Sequence, residues 1–214
     1  LVVDASQGVE AWAGTADLIA PAQAAALVEA GVVRFGRIDV LVNNAGVSDM
    51  RGIAPESFDM ETWNWIMSID LNGAFMYMRD VGRHMLESGG GSIVNICSIM
   101  GHGANELNII AYTAAKGALR NLTLQLGCEW ADRGVRVNSV SPGFIVTEMV
   151  RPALEGMGMD KWIASRTPMR RIGELDERCH RVRLGDRVGV RDEHVLAGRG
   201  RDPEVHVRGE RQRP

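Results

Sequence analysis

The chain has 214 residues, 45% of them hydrophobic, and a formal net charge of −3. That size and composition fit one globular domain with a real core, and the mild negative charge argues against nucleic acid as a partner. Three cysteines, Cys97, Cys128 and Cys179, have no CxxC spacing, which argues against a disulfide framework or a zinc site, so no metal is expected. No basic-then-apolar leader opens the chain and no apolar run reaches about 18 residues, so the expectation is a cytoplasmic protein with no membrane contact.

Taken in order, Leu1-Val2-Val3 is strand-like and meets Asp4 at once. Asp17-Leu18 precedes an alanine-rich amphipathic helix that ends near Gly36, and an acid at a helix start suits the dipole. Ile38-Asp39-Val40-Leu41-Val42 is the clearest strand, and Asn43-Asn44-Ala45-Gly46 turns at its end. A long helix is predicted from Ser57 to about Glu87, with Trp63, Ile66, Met67, Ile69, Leu71, Phe75, Met76 and Met78 on its apolar face. Gly89-Gly90-Gly91 then introduces a buried strand, Ser92 to Cys97. A second helix starts around Tyr112 and ends near Gly134, with Ala115, Ala118, Leu119, Leu122, Leu126 and Trp130 as its stripe. Val135 to Val140 is the next strand, followed by Ser141-Pro142-Gly143. Met149 to Met169 is methionine-rich and reads as a lid over a partly apolar ligand. Residues 178–214 hold ten arginines, no lysine and no aromatic residue. Such a tail cannot bury a core and is expected to be disordered. Six acids interleave with its arginines, and without a stacking surface it does not read as a nucleic-acid arm.

The stretch from Ser98 to Lys116 carries the chemistry. Ser98 sits where a strand ends, and Tyr112 and Lys116 are one helical turn apart on one face. A hydroxyl, a phenol and an ammonium that converge suit proton transfer to or from an alcohol oxygen. Making a phenol a useful base near neutrality requires roughly 4 kcal/mol in favour of the phenolate. One cation about 4 Å away supplies roughly that much at an effective dielectric of about 20, before desolvation is subtracted. By itself a Tyr and a Lys four apart usually means plain helix surface.

The neighbours change that reading. Asn43-Asn44-Ala45-Gly46, Ser98, Tyr112-x-x-x-Lys116 and Ser141-Pro142-Gly143, in that order, resemble the short-chain dehydrogenase/reductase family. The likeness covers residues 1–177, and the Arg-rich segment 178–214 stands apart as a tail. It implies an α/β fold, a Rossmann-like doubly wound parallel sheet, here missing its first and its last strand. It implies an oxidoreductase that moves a hydride between NAD or NADP and a small-molecule alcohol or ketone. By the same likeness Tyr112 is the acid/base, Lys116 activates it and holds the cofactor ribose, and Ser98 positions the substrate oxygen. Asp17, Leu18, Asn44, Ala45 and Gly46 would line the adenosine side. Pro142, Gly143, Ile145 and Thr147 would lie by the nicotinamide, with the Thr147 hydroxyl on its carboxamide. A homodimer or homotetramer is implied through the two long helices.

Four departures stand out. By the same likeness, Asp70 occupies the place of a catalytic asparagine that would hold a relay water; a carboxylate there would still accept from that water but would also favour the charged form of a nearby Lys116. Ser98 and Tyr112 are 14 residues apart, one more than usual in the family, so the loop between them must bulge. No intact glycine-rich phosphate loop is present. Asp4 therefore has two readings. It is the acid at the tip of the second Rossmann strand, which favours NAD over NADP, or it belongs to a degraded phosphate loop. The alternative for the whole chain is a catalytically silent fragment that lacks that loop.

Overall fold

The computed structural model describes residues 12–151, 154, 158–174 and the backbone of 194–196. The chain divides into two compact units, with a boundary between Pro142 and Gly143. The strand at 194–196 belongs to the first unit.

In the first unit a helix α1, Pro21–Phe35, leads into β1, Val40–Asn43. Pro21 sits at the start of α1, where its missing N–H costs nothing. The long helix expected next begins at Met60, where Asp59 caps it by accepting from Thr62 N at 2.7 Å. It runs as α2, Met60–Met67, then a π-helical turn, Ser68–Gly73, then α3, Ala74–Glu87. Strand β2, Gly91–Ile96, helix α4, Ile110–Trp130, and strand β3, Val135–Pro142, follow.

The sheet order is β1-β2-β3-β4, all parallel, where β4 is His194–Leu196. The α/β class therefore stands, and at the far edge the structure adds a short strand that the sequence reading left out. Its residues carry no helical or strand period. Pairing with β3 is made by main-chain groups, which leave no side-chain signature. The rest of the Arg-rich segment lies outside the described residues.

Register puts Leu41, Ile93 and Val137 side by side. Together with Met78, Val81 and Met85 of α3 and Leu119 and Leu126 of α4, these residues form the main core. A buried polar thread crosses it. Asn43 Nδ2 donates to Asn95 Oδ1 at 2.9 Å, and Asn95 Nδ2 donates to Thr123 Oγ1 at 2.9 Å. Thr123 Oγ1 in turn donates to the Leu119 carbonyl. Each buried donor is thereby answered, and β1, β2 and α4 are locked in one register at the end where the site lies.

In the second unit, Ile145 bridges Gly173 in parallel, and the Gly173 N–H donates to the Phe144 carbonyl at 3.0 Å. Helix α5, Met159–Arg166, carries Trp162, which meets Phe144 edge-on at 6.0 Å.

Candidate active site

Ser98 follows β2 and opens a short 3-10 turn, Ile99–Gly101. Its side chain is buried and accepts from Met100 N at 3.1 Å. A hydroxyl that accepts there keeps its proton for a second oxygen. The turn lies against α4 so closely that a Cβ on Gly101 would stand 2.8 Å from the Lys116 carbonyl carbon. Only glycine lets the two backbones approach this way.

Tyr112 and Lys116 face the same side of α4, with the ammonium 5.6 Å from the phenol ring centroid. Lys116 is 4% exposed. Its Nζ donates to the Ile96 carbonyl at 3.1 Å, at the end of β2. Nζ also lies 3.2 Å from Asp70 Oδ2. Asp70 is fully buried in the π-helical turn, and its Oδ1 accepts from Val47 N at 2.7 Å. Burial pushes the Asp70 carboxyl above the usual carboxylate range, against the opposing pull of the Lys116 charge and the Val47 N–H. The Asp70 carboxylate and the Lys116 ammonium thus form a direct ion pair.

Gly46 seals this pair. A Cβ there would sit 3.1 Å from both Asp70 Oδ2 and Lys116 Nζ. Asn44 and Ala45 precede it, exposed at the carboxyl end of β1, where ligands bind in open α/β sheets. The Leu18 carbonyl faces Gly73 at the end of the π-helical turn, at 3.0 Å from where a Cβ would be. Asp17 Oδ1 accepts from Ile19 N at 3.1 Å and so shapes the turn before α1. Pro142 ends β3. Gly143, Ile145 and Thr147 belong to the second unit, where the Thr147 carbonyl accepts from Val150 N and Arg151 N. Asp4 lies outside the described residues.

The family model described as short chain dehydrogenase matches residues 2–158. The chain belongs to the short-chain dehydrogenase/reductase family. Gluconate 5-dehydrogenase of Gluconobacter oxydans is 38% identical over 143 residues, which are 67% of this chain and 55% of that protein. Galactitol 2-dehydrogenase (L-tagatose-forming) of Cereibacter sphaeroides is 39% identical over 159 residues, 74% of this chain and 61% of that protein. The crystal structure of a gluconate 5-dehydrogenase from Burkholderia cenocepacia, in complex with NADP and tartrate, superposes with a TM-score of 0.71 at 36% identity. It is matched over 75% of this chain and 62% of its own. This short-chain dehydrogenase chain thus spans 55–62% of the length of these three relatives.

The loop between Ser98 and Tyr112 holds one left-handed residue among its non-glycine positions. Asn108 has φ 53°, a left-handed backbone that asparagine tolerates, and its Nδ2 donates to the Gly52 carbonyl at 3.2 Å. Gly52 belongs to a loop stapled by Arg51, whose guanidinium grips Asp49 at 2.7 and 2.8 Å. The same guanidinium holds the Asp49 carboxyl below the usual carboxylate range.

Sequence reasoning missed three contributors: the Val47 N–H, the Ile96 carbonyl and Gly101. The first two act through backbone and leave no residue-type signal. A fourth contact, His102 Nε2 to Ser141 Oγ at 2.9 Å, ties the Ser98 loop to β3.

Proposed function

We propose that this chain is the catalytic part of an NAD(P)-dependent oxidoreductase that moves a hydride between the nicotinamide and a secondary alcohol or its ketone. The substrate class we infer is polyols and sugar acids, because named relatives act on gluconate and galactitol. The observation that carries the reading is the trio Ser98, Tyr112 and Lys116 at the end of β2, with the ammonium held between the Ile96 carbonyl and Asp70.

The residues present fit the nicotinamide and ribose half of such a cofactor. Lys116 supplies a cation for ribose hydroxyls, and Asn44 and Ala45, exposed at the end of β1, are assigned with Gly46 to the adenosine side. When bound, the cofactor supplies the hydride chemistry. Ser98 donates to the substrate oxygen, and Tyr112 gives or takes the proton on that oxygen, with Lys116 as the charge beside the phenol. Pro142 and Gly143 are assigned to the nicotinamide, the Ile145 backbone and Thr147 hydroxyl to its carboxamide, and Asp17 with Leu18 to the adenine side. Asp4 argues for NAD, because a carboxylate repels a 2′-phosphate. The Burkholderia relative was solved with NADP. A homodimer or homotetramer through α3 and α4 is part of the same reading, supported by Trp65 and Phe75, 45% and 41% exposed on the long helix.

The test is a fluorescence titration with NADH and with NADPH, followed by turnover on a panel of polyols and keto-sugar acids. Saturable binding with turnover is expected, and Tyr112→Phe should lower kcat by about 10²–10⁴-fold while leaving cofactor binding in place. No binding at millimolar cofactor, and no turnover, would establish the silent alternative, to which the relatives lend no support.

A further inference from the structure

The aspartate that stands where the family has an asparagine changes the surroundings of Lys116. Asp70 and Lys116 are 0% and 4% exposed, on the π-helical turn and on α4. Asp70 Oδ1 is committed to the Val47 N–H. Among the described residues Oδ2 receives no well-aligned hydrogen bond, yet it lies 3.2 Å from the ammonium. This oxygen therefore meets a charge rather than a directed donor. The Gly46 backbone covers both atoms at once.

A neutral amide in the same place offers no charge to a buried cation. A carboxylate does, and two buried opposite charges hold each other far more strongly than the same pair in water. The π-helical turn aims Asp70 inward: one extra residue in a turn redirects a side chain out of the regular helical stripe. Among the described residues, Lys116 is the charged group that faces Asp70. From β2 comes only the Ile96 carbonyl, from the β1 turn only the Val47 N–H, and from α4 the Tyr112 ring lies beside the ammonium.

We propose that Asp70 is a positioning residue that acts through Lys116, its carboxylate drawing the ammonium inward to the end of β2 and neutralising it within the protein. The ion pair is independent of turnover; its consequence for hydride transfer rests on the function proposed above. Protonation of Asp70 frees the ammonium, so the state of Lys116 follows the ionisation of a carboxyl that burial has raised.

The chain has lysines only at 116 and 161, so labelling lysine with carbon-13 at Cε gives one buried and one exposed signal. The Val47 amide, which donates to Asp70, reports the carboxyl independently. In a pH titration of the unmodified chain, the Lys116 signal and the Val47 amide are expected to report the Asp70 carboxyl in one common step, above the ordinary carboxylate range. In Asp70→Asn the Lys116 step is expected to vanish. A Lys116 step that persists in the variant, or one whose midpoint differs from that of Val47 in the unmodified chain, overturns the proposal. The second comparison needs no variant and holds even where Asp70→Asn fails to fold. A chain that shows the coupled step without any turnover keeps the ion pair and loses the oxidoreductase reading.

Discussion

The two faces of the sheet are dressed differently. On one face Leu41, Ile93 and Val137, neighbours in register, pack with side chains of α3 and α4. On the other, Val40 and Val42 are 53% and 55% exposed. Both faces carry β-branched residues, as strands of a parallel sheet do when both faces are covered. Within the first unit, the helices that pack on the sheet's core, α3 and α4, lie on the first face. The chemistry follows that face. Asp70, Tyr112 and Lys116 all come from its helices, and Ser98 from the strand end they overlie. The comparison teaches that the site is a product of packing on one side of the sheet, and that damage to that side should reach the site while damage to the other should not.

The largest expected effect is therefore on the covered face. Met78 is fully buried on α3, and its sulfur takes a contact from Asn95 Nδ2 at 3.2 Å. Met78→Ala leaves a cavity next to the Asn43–Asn95–Thr123 thread, and urea unfolding should show a loss of about 2–5 kcal/mol. Gly101→Ala should cost less, about 1–3 kcal/mol, because backbone rather than side chain must give way. The added methyl would meet the Lys116 carbonyl carbon at 2.8 Å and Gly117 N at 3.0 Å. That variant sharpens the comparison: it pushes on Lys116 from behind, so turnover should fall by a larger factor than the fraction of unfolded chain explains.

These contacts also mark where the sequence was legible and where it was not. Ser98, Tyr112 and Lys116 could be found because a strand end and a four-residue helical spacing are local. The family position of Asp70 pointed to Lys116 as a neighbour, but their direct pairing joins residues far apart in the chain, and no period encodes it. The π-helical turn that presents Asp70 is equally silent, since Ser68-Ile-Asp-Leu-Asn-Gly73 reads as ordinary helix. Gly101 carries no sequence signal of its role, because the backbone it lies against belongs to α4. The helices were legible in kind and drifted at their ends; the long one starts at Met60 rather than Ser57 because Asp59 is its cap. Val40, Leu41 and Val42 are all apolar, so β1 marks neither face as the covered one, and which is covered depends on where the crossover helices lie.

The smallest expected effect tests the open face directly. Val42→Thr keeps the shape and the β-branch and exchanges one methyl for a hydroxyl. On a face open to water the hydroxyl is hydrated and little apolar contact is lost, so the change in unfolding free energy should stay within about 0.5 kcal/mol. Beneath a covering layer the same hydroxyl would be buried without a partner, at a cost of about 1–3 kcal/mol. The two outcomes differ by more than the error of a well-determined urea midpoint. A large cost that grows with protein concentration would identify a second copy as the cover. A large cost independent of concentration would place another part of the same chain over Val40 and Val42, and the contrast between the two faces would then disappear.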